Sequence, residues 1–147
     1  MKQYFYGFEK TKKAVYNLSR KIKRSKFKPK TLVALARGGL LIGLWLSHKL
    51  NVPLMILSVK SYDDLGNQGS TVLMNTSYTV PLQSPILIID EVCDKGLTLN
   101  VVKNHFESIG VGVKTATLLY KPHSIIKPNW SVEQVNNETW VTFFWEK

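Results

Sequence analysis

Apolar positions recur at helical spacing near the start of the chain and then gather into short blocks divided by turn residues. Phe8, Val15, Leu18 and Ile22 fall on one face of an amphipathic helix over 8–22. Lys28-Pro29-Lys30 ends that region, because proline disfavours helix in the residue before it. The run TLVALA over 31–36 is short and mostly apolar, the pattern of a strand buried on both faces. Arg37-Gly38-Gly39 makes a turn, 40–50 reads as a buried helix closed by Asn51 and Pro53, and LMILSV over 54–59 is a second buried strand. Residues 61–69, with Asp63, Asp64, Gly66, Asn67 and Gly69, are expected to form a mobile loop. A weaker strand pair or hairpin over 71–80 should follow, ended by Pro81 and Pro85. ILIID over 86–90 is the clearest strand, and it runs through an acidic turn into a helix over 98–109 that stops at Gly110. TATLLY over 115–120 is the next strand and WVTFFW over 140–145 the last.

Strand, turn and helix repeat in order, which predicts an α/β fold with a largely parallel central sheet flanked by helices. A chain of 147 residues fits one compact domain, and no repeat or linker divides it. Ligands in such folds bind beyond the carboxyl ends of the strands. The turns after Ala36, Val59, Asp90 and Tyr120 are therefore where chemistry is expected.

Charge adds one feature. The formal net charge is +10, and Lys12, Lys13, Arg20, Lys21, Lys23, Arg24, Lys26 and Lys28 crowd the stretch 10–30 without an acid. The first reading is a solvated helix and its exit loop, and the second is electrostatic attraction of a polyanionic substrate. Charge alone does not identify a nucleic-acid binder. Cys93 is the only cysteine, which excludes an intrachain disulfide and a multi-cysteine zinc site. The apolar run 40–46 is interrupted by Gly43 and too short to span a bilayer, and residues 1–6 lack the apolar core of a secretory signal. A soluble cytoplasmic protein is expected.

The chemistry concentrates in ILIIDEVCDKGLT over 86–98. Of the adjacent acids Asp90 and Glu91, one suits the two hydroxyls of a ribose and the other a hard divalent cation such as Mg2+. Asp94, Lys95, Gly96, Leu97 and Thr98 lead into the following helix, where outward backbone N–H groups make a phosphate cradle. Gly96 allows close approach, and Lys95 and Thr98 add donors. The spacing is not that of a Walker loop.

This segment closely resembles the phosphoribosyl pyrophosphate motif of type I phosphoribosyltransferases: a hydrophobic run, two acids, two variable residues, then Asp-Thr-Gly-x-Thr. Lys95 stands where threonine is usual, which keeps the backbone cradle but removes one hydroxyl. The resemblance extends over about 32–146 and is to the purine enzymes of that family, those acting on xanthine, guanine and hypoxanthine. It implies that Ala36-Arg37-Gly38-Gly39 is the pyrophosphate loop, with a cis peptide before Arg37. It makes Ser61-Tyr62-Asp63 the start of a loop that closes over the site and excludes water, although Gln68-Gly69-Ser70 lacks the basic residue some relatives carry there. Lys121 would donate to the purine 6-oxo group, Trp140 would stack on the base, and backbone groups near Val141 would read its C2 edge.

The expected layout is one phosphoribosyltransferase domain over 1–147. It comprises a basic N-terminal helix in 1–30, a flexible loop and hairpin in 61–85, and a purine-recognition or hood segment in 120–147. The implied reaction is Mg2+-dependent purine salvage, by transfer of phosphoribose from phosphoribosyl pyrophosphate to N9 of a 6-oxopurine. Asp94 is the candidate general base, with an N-cap role also open to it, and Asp90 and Glu91 hold ribose and metal. Cys93 reads as a packing residue, Trp145 as a core aromatic, and His48, His105 and His123 receive no role. A homodimer or tetramer is expected, with no nucleic acid required. Three other readings remain: an RNA-binding or nucleotide-sensing regulator on the same fold, a transferase for orotate or adenine, and a relative inactivated at Lys95 and Gly69.

Overall fold

The four apolar blocks of the sequence become the four inner strands of one sheet. In the computed structural model, which describes residues 1–62, 71–77 and 80–147 (61–62 and 71–77 by backbone alone), the chain runs β1 (Lys2–Tyr6), α1 (Phe8–Arg24), β2 (Thr31–Ala36), α2 (Leu40–Leu50), β3 (Leu54–Tyr62) and β4 (Thr71–Ser77). It continues through β5 (Ile86–Cys93), α3 (Leu97–Ser108), β6 (Val113–Tyr120), β7 (Trp130–Gln134) and β8 (Thr139–Phe143), and a 3-10 turn over Phe144–Glu146 follows. The main sheet has the order β4-β3-β2-β5-β6-β7. Every pairing in it is parallel except β3 with β4. The α/β fold with a largely parallel sheet is thus the expected one.

Alternation along the inner strands supplies both faces of the sheet. Leu32, Leu87, Ile89, Ala116 and Leu118 join a core with Val15, Leu18 and Ile22 of α1 and Ile42 and Leu46 of α2. Val33, Leu35, Met55, Leu57, Ile86 and Ile88 join a second core with Leu99, Val102 and Phe106 of α3. The apolar stripe of α1 therefore faces the sheet, and Lys12, Lys13, Arg20, Lys21, Lys23, Arg24, Lys26 and Lys28 are all exposed. Phe8 is 47% exposed and packs edge-to-face on Trp45 and Phe144 instead of entering the core.

Some expectations need correcting. The helix over 40–50 is buried on one face only, since Leu40 and Leu44 stay exposed. It ends as expected at Asn51, which takes a left-handed conformation (φ 53°). The block over 140–145 is not continuous strand: extended backbone stops at Phe143. Nor does β8 join the main sheet. It pairs in parallel with β1, whose KQYFY sequence gave no strand signal because only Tyr6 in it is buried. β7 was also missed, being an edge strand of half-buried residues without clean alternation. No helix among the described residues is long and apolar enough to cross a membrane.

The small β1–β8 sheet is tied to the body by aromatics. Tyr6 lies 5.4 Å from Phe143, which stacks on Trp145 at 4.5 Å. Tyr6 is fully buried, and burial, reinforced by Glu133, pushes its phenol up to about 12. Trp140, on the same strand as Phe143, is 57% exposed. Phe143→Ala should therefore cost about 3–5 kcal/mol of stability in urea denaturation, while Trp140→Ala should stay within about 0.5 kcal/mol of wild type. Equal losses for the two would contradict this division of labour.

Candidate active site

The parallel strands β2, β5 and β6 end together, and Arg37, Asp94 and Lys121 follow those ends. Asp90 and Glu91, expected in the turn after the strand, are still within β5, which stays paired to β6 as far as Cys93. The Ala36-Arg37 peptide is cis, as expected, and Arg37 is exposed. Gly39 caps the start of α2 and donates to Leu35 O at 2.8 Å. At Gly38 a Cβ would occupy the space of the Glu91 carboxylate, so any side chain there would displace Glu91 from its present position. The pyrophosphate-loop candidate and the acid pair are therefore packed against each other.

Asp90 and Glu91 are both half-buried, and the Glu91 N–H donates to Asp90 Oδ1 at 2.9 Å. Burial first, and then the adjacent Glu91, push the Asp90 carboxyl well above the ordinary carboxylate range. Neither carboxyl has an ion-pair partner among the described residues. Among the described residues no three His, Cys, Asp or Glu side chains gather as a metal cluster. A pair of adjacent, half-buried acids is a donor set that suits a hydrated Mg2+, which is ordinarily held by one or two carboxylates and substrate phosphates.

Beyond β5 the chain turns at Gly96, whose φ of +79° requires glycine. The sequence reading gave Gly96 the task of admitting a phosphate. The structure assigns its missing side chain to packing, since a Cβ would run into Ser124 and Ile126. Gly96 is also the N-cap of α3, so Asp94 does not cap that helix. The first-turn N–H groups from Leu97 and Thr98 onward have no acceptor within the helix, which preserves the anion cradle. Lys95 is exposed and Thr98 half-buried beside it.

Asp94 instead has two side-chain partners. Lys121 Nζ donates to Oδ2 at 2.7 Å, and His123 Nε2 lies 2.6 Å from Oδ1. Burial alone would raise this carboxyl, but the bonds from Lys121 and His123, with their charges, outweigh it and hold the group below its usual value. Lys121 is only 6% exposed. His123 was passed over in the sequence because its side chain has no periodic or motif signal. Its position was the available clue, in a turn after Tyr120 where chemistry was expected. Cys93 is buried against Ser124 Oγ at 3.0 Å, a packing role, and burial pushes its thiol up.

Trp140 and Val141 sit on β8, opposite Gln3 and Tyr4 of β1. They connect to the Asp94 loop through the His123 N–H, which donates to Asn137 Oδ1 at 3.1 Å. The expected closing loop leaves β3 at Ser61 and Tyr62, and from Asp63 to Ser70 it lies outside the described residues. The same holds for Gln68-Gly69-Ser70 and for residues 78–79 of the expected hairpin.

Parallel strands with a carboxylate pair late in β5, a glycine-turned helix entry and a small second sheet define an α/β domain. The chain belongs to the phosphoribosyl transferase domain family, whose match covers residues 7–146. It is 23% identical over 146 residues to the xanthine-guanine phosphoribosyltransferase of Idiomarina loihiensis, a match spanning 99% of this chain and 88% of that one. It is 27% identical over 119 residues to the enzyme of the same name from Cereibacter sphaeroides, covering 80% and 69% of the two. Among solved structures, a purine phosphoribosyltransferase from Pyrococcus horikoshii superposes with a TM-score of 0.85 at 29% identity, over 100% of this chain and 96% of that one.

The two acids act on stability with opposite signs. Asp90 titrates above its unfolded value, so its charged form costs stability at neutral pH, and the cost vanishes below the ordinary carboxylate range. Asp94 titrates below its unfolded value, so it contributes stability above that value and loses it as pH falls through the folded one. In metal-free buffer Asp90→Asn should raise Tm at pH 7, and the gain should disappear on acidification. Asp94→Asn should lower Tm at pH 7, with the deficit shrinking in acid. A flat Tm difference across the pH series for either variant would refute its assignment.

Proposed function

We propose that this chain is a purine phosphoribosyltransferase that transfers the 5-phosphoribosyl group of phosphoribosyl pyrophosphate to N9 of a 6-oxopurine. The reading is supported by the family, by the two relatives named xanthine-guanine phosphoribosyltransferase and by the purine enzyme of P. horikoshii. The observation that carries it is the Lys121–Asp94 pair at 2.7 Å, at the mouth of a phosphate cradle and beside two further acids.

In this reading Arg37 and the Gly38 amide hold the departing pyrophosphate, the Gly39 N–H being committed to Leu35 O, and the first turn of α3 holds the 5-phosphate. Asp90 and Glu91 bind the ribose hydroxyls and are the residues that would hold Mg2+, which offsets charge on the leaving group when bound. Lys121 donates to the 6-oxo group. An ammonium has donors only, and it would face the donor amino group of adenine unpaired, so the site selects oxopurines. Trp140, exposed on β8, offers its ring to the base, and backbone near Val141 reads the C2 edge. As the bond from C1 to pyrophosphate breaks and the bond to N9 forms, Asp94 accepts the proton that leaves the base. Its depressed titration keeps it ionised for that task.

Steady-state turnover with phosphoribosyl pyrophosphate and Mg2+ across hypoxanthine, guanine, xanthine, adenine and orotate tests the reading. The 6-oxopurines alone should turn over, and Asp94→Asn should reduce kcat by about 10²–10⁴-fold. Absence of turnover with every base, in folded wild type, would sink the proposal. The metal assignment has its own readout. Mg2+ added with phosphoribosyl pyrophosphate should raise Tm above that with the same ligand in EDTA, and Asp90→Asn combined with Glu91→Gln should abolish the difference.

A further inference from the structure

Asp94 is gripped on both oxygens, and only one of its partners has a part in the transfer as written. Lys121 holds Oδ2 and serves the 6-oxo group, whereas His123 holds Oδ1 and has no assigned task. We propose that His123 is a positioning residue that aims the Asp94 carboxylate at the purine and couples it to the segment carrying Trp140. The inference rests on the transferase reading above.

The loop that presents His123 is fastened on both flanks to the loop that presents Asp94. The Lys121 N–H donates to Cys93 O at 3.0 Å, and the Ile125 N–H donates to Lys95 O at 3.0 Å. Between them, Ser124 Oγ meets Cys93 Sγ at 3.0 Å. Residues 121–125 and 93–95 therefore form one body, and the imidazole meets the carboxylate from a fixed base. The His123 N–H donates in turn to Asn137 Oδ1, three residues before Trp140.

The chemistry of the contact fixes its direction. An ionised carboxylate has no proton to give, so Nε2 carries the hydrogen and donates it to Oδ1. A carboxylate with one partner rotates about its Cβ–Cγ bond, whereas a donor on each oxygen holds it in one plane through two charge-assisted bonds. Orientation is what a general base needs before substrate arrives. The ammonium of Lys121 has three donors, so it serves Oδ2 and the 6-oxo group together. Each oxygen of Asp94 retains a second lone pair, and with the plane fixed one of these faces the purine N7. Among the described residues, Lys121 from the end of β6 and His123 from the loop beyond it are the side chains paired with Asp94, and the Cys93 thiol is the further titratable group that senses its charge.

The experiment compares wild type with His123→Ala and His123→Gln, whose amide N–H replaces that of Nε2. Two readouts are used: steady-state kinetics with hypoxanthine or guanine, and carboxyl carbon NMR titration of Asp94 in the ligand-free protein. His123→Ala should lower kcat about tenfold, the change that loss of one hydrogen bond to a charged group carries. KM for phosphoribosyl pyrophosphate should hold at the wild-type value, the Asp94 midpoint should rise, and His123→Gln should restore both kcat and midpoint. An unmoved midpoint in His123→Ala overturns the clamp whatever the activity. A raised midpoint with wild-type kcat overturns its role in the reaction. If wild type turns over no base while His123→Ala still moves the midpoint, the transferase reading fails and the clamp on Asp94 stands.

Discussion

The register of β5 against β6 is the constraint on which the site depends. Ile86 pairs with Val113, and the ladder runs on in parallel until Cys93 meets Tyr120. The next residues on the two strands are Asp94 and Lys121, so the strand pairing delivers a carboxylate and an ammonium to the same point. A slip of one residue would turn every side chain of β6 to the other face and carry Lys121 away from Asp94. Slippage is opposed by the buried runs themselves. Ile86 and Ile88 belong to one core and Leu87 and Ile89 to the other, so neither face tolerates the shift. The hydrophobic pattern that makes the sheet is thereby also what sets the geometry of the polar pair.

The same pairing explains why one end of the molecule is chemical and the other is not. In a parallel sheet all strands finish at one edge: Arg37, Asp94 and Lys121 come directly after the finishes of β2, β5 and β6, and Asp90 and Glu91 lie in the last four residues of β5. The basic exit loop with Lys26 and Lys28 comes before the start of β2, and Lys30 N–H bonds to Pro85 O just before the start of β5. That loop therefore lies at the far end of the sheet from the acids. Local attraction of a phosphorylated substrate to the site cannot come from it, since such forces fade over roughly 10 Å at ordinary ionic strength. The solvated-helix reading of the charge accounts for its exposure.

What was legible in the sequence followed from burial. Strands buried on both faces, such as β2 and β5, announce themselves as unbroken apolar runs because nothing polar is tolerated there. The acids late in β5 were legible for the opposite reason, being two charges directly after an unbroken apolar run. β1 and β7 were not, because an edge strand with one half-buried face has too few apolar positions to show a period. His123 was hidden for a different reason. Its meaning comes from Asp94, 29 residues away, and local sequence carries no record of a contact that the strand register creates. The turn at Gly96 was legible, but its packing was not, since the loop of Ser124 and Ile126 that fills the space of its missing side chain is equally distant in sequence.

Asp90 and Asp94, four residues apart, are treated in opposite ways by the fold, and the difference follows from what each must do. Asp94 has donors on both oxygens and is held ionised, as a proton acceptor must be. Asp90 has Glu91 beside it, burial around it and, among the described residues, no ion-pair partner, so the protein alone holds it in a state that favours protonation. A side chain kept only for stability would not be retained under that penalty, because asparagine fills the same volume without the charge. The penalty makes sense if something outside the chain completes the site. A cation or the hydroxyls of a bound sugar would recover part of the cost on binding, which couples occupancy of the site to stability. The phosphate cradle of α3 is likewise a set of donors that only a ligand satisfies. Among the described residues, the Asp94 carboxylate with Lys121 and His123 is the charged part of the site that finds its partners within the protein, and its geometry must be in place before the substrates arrive.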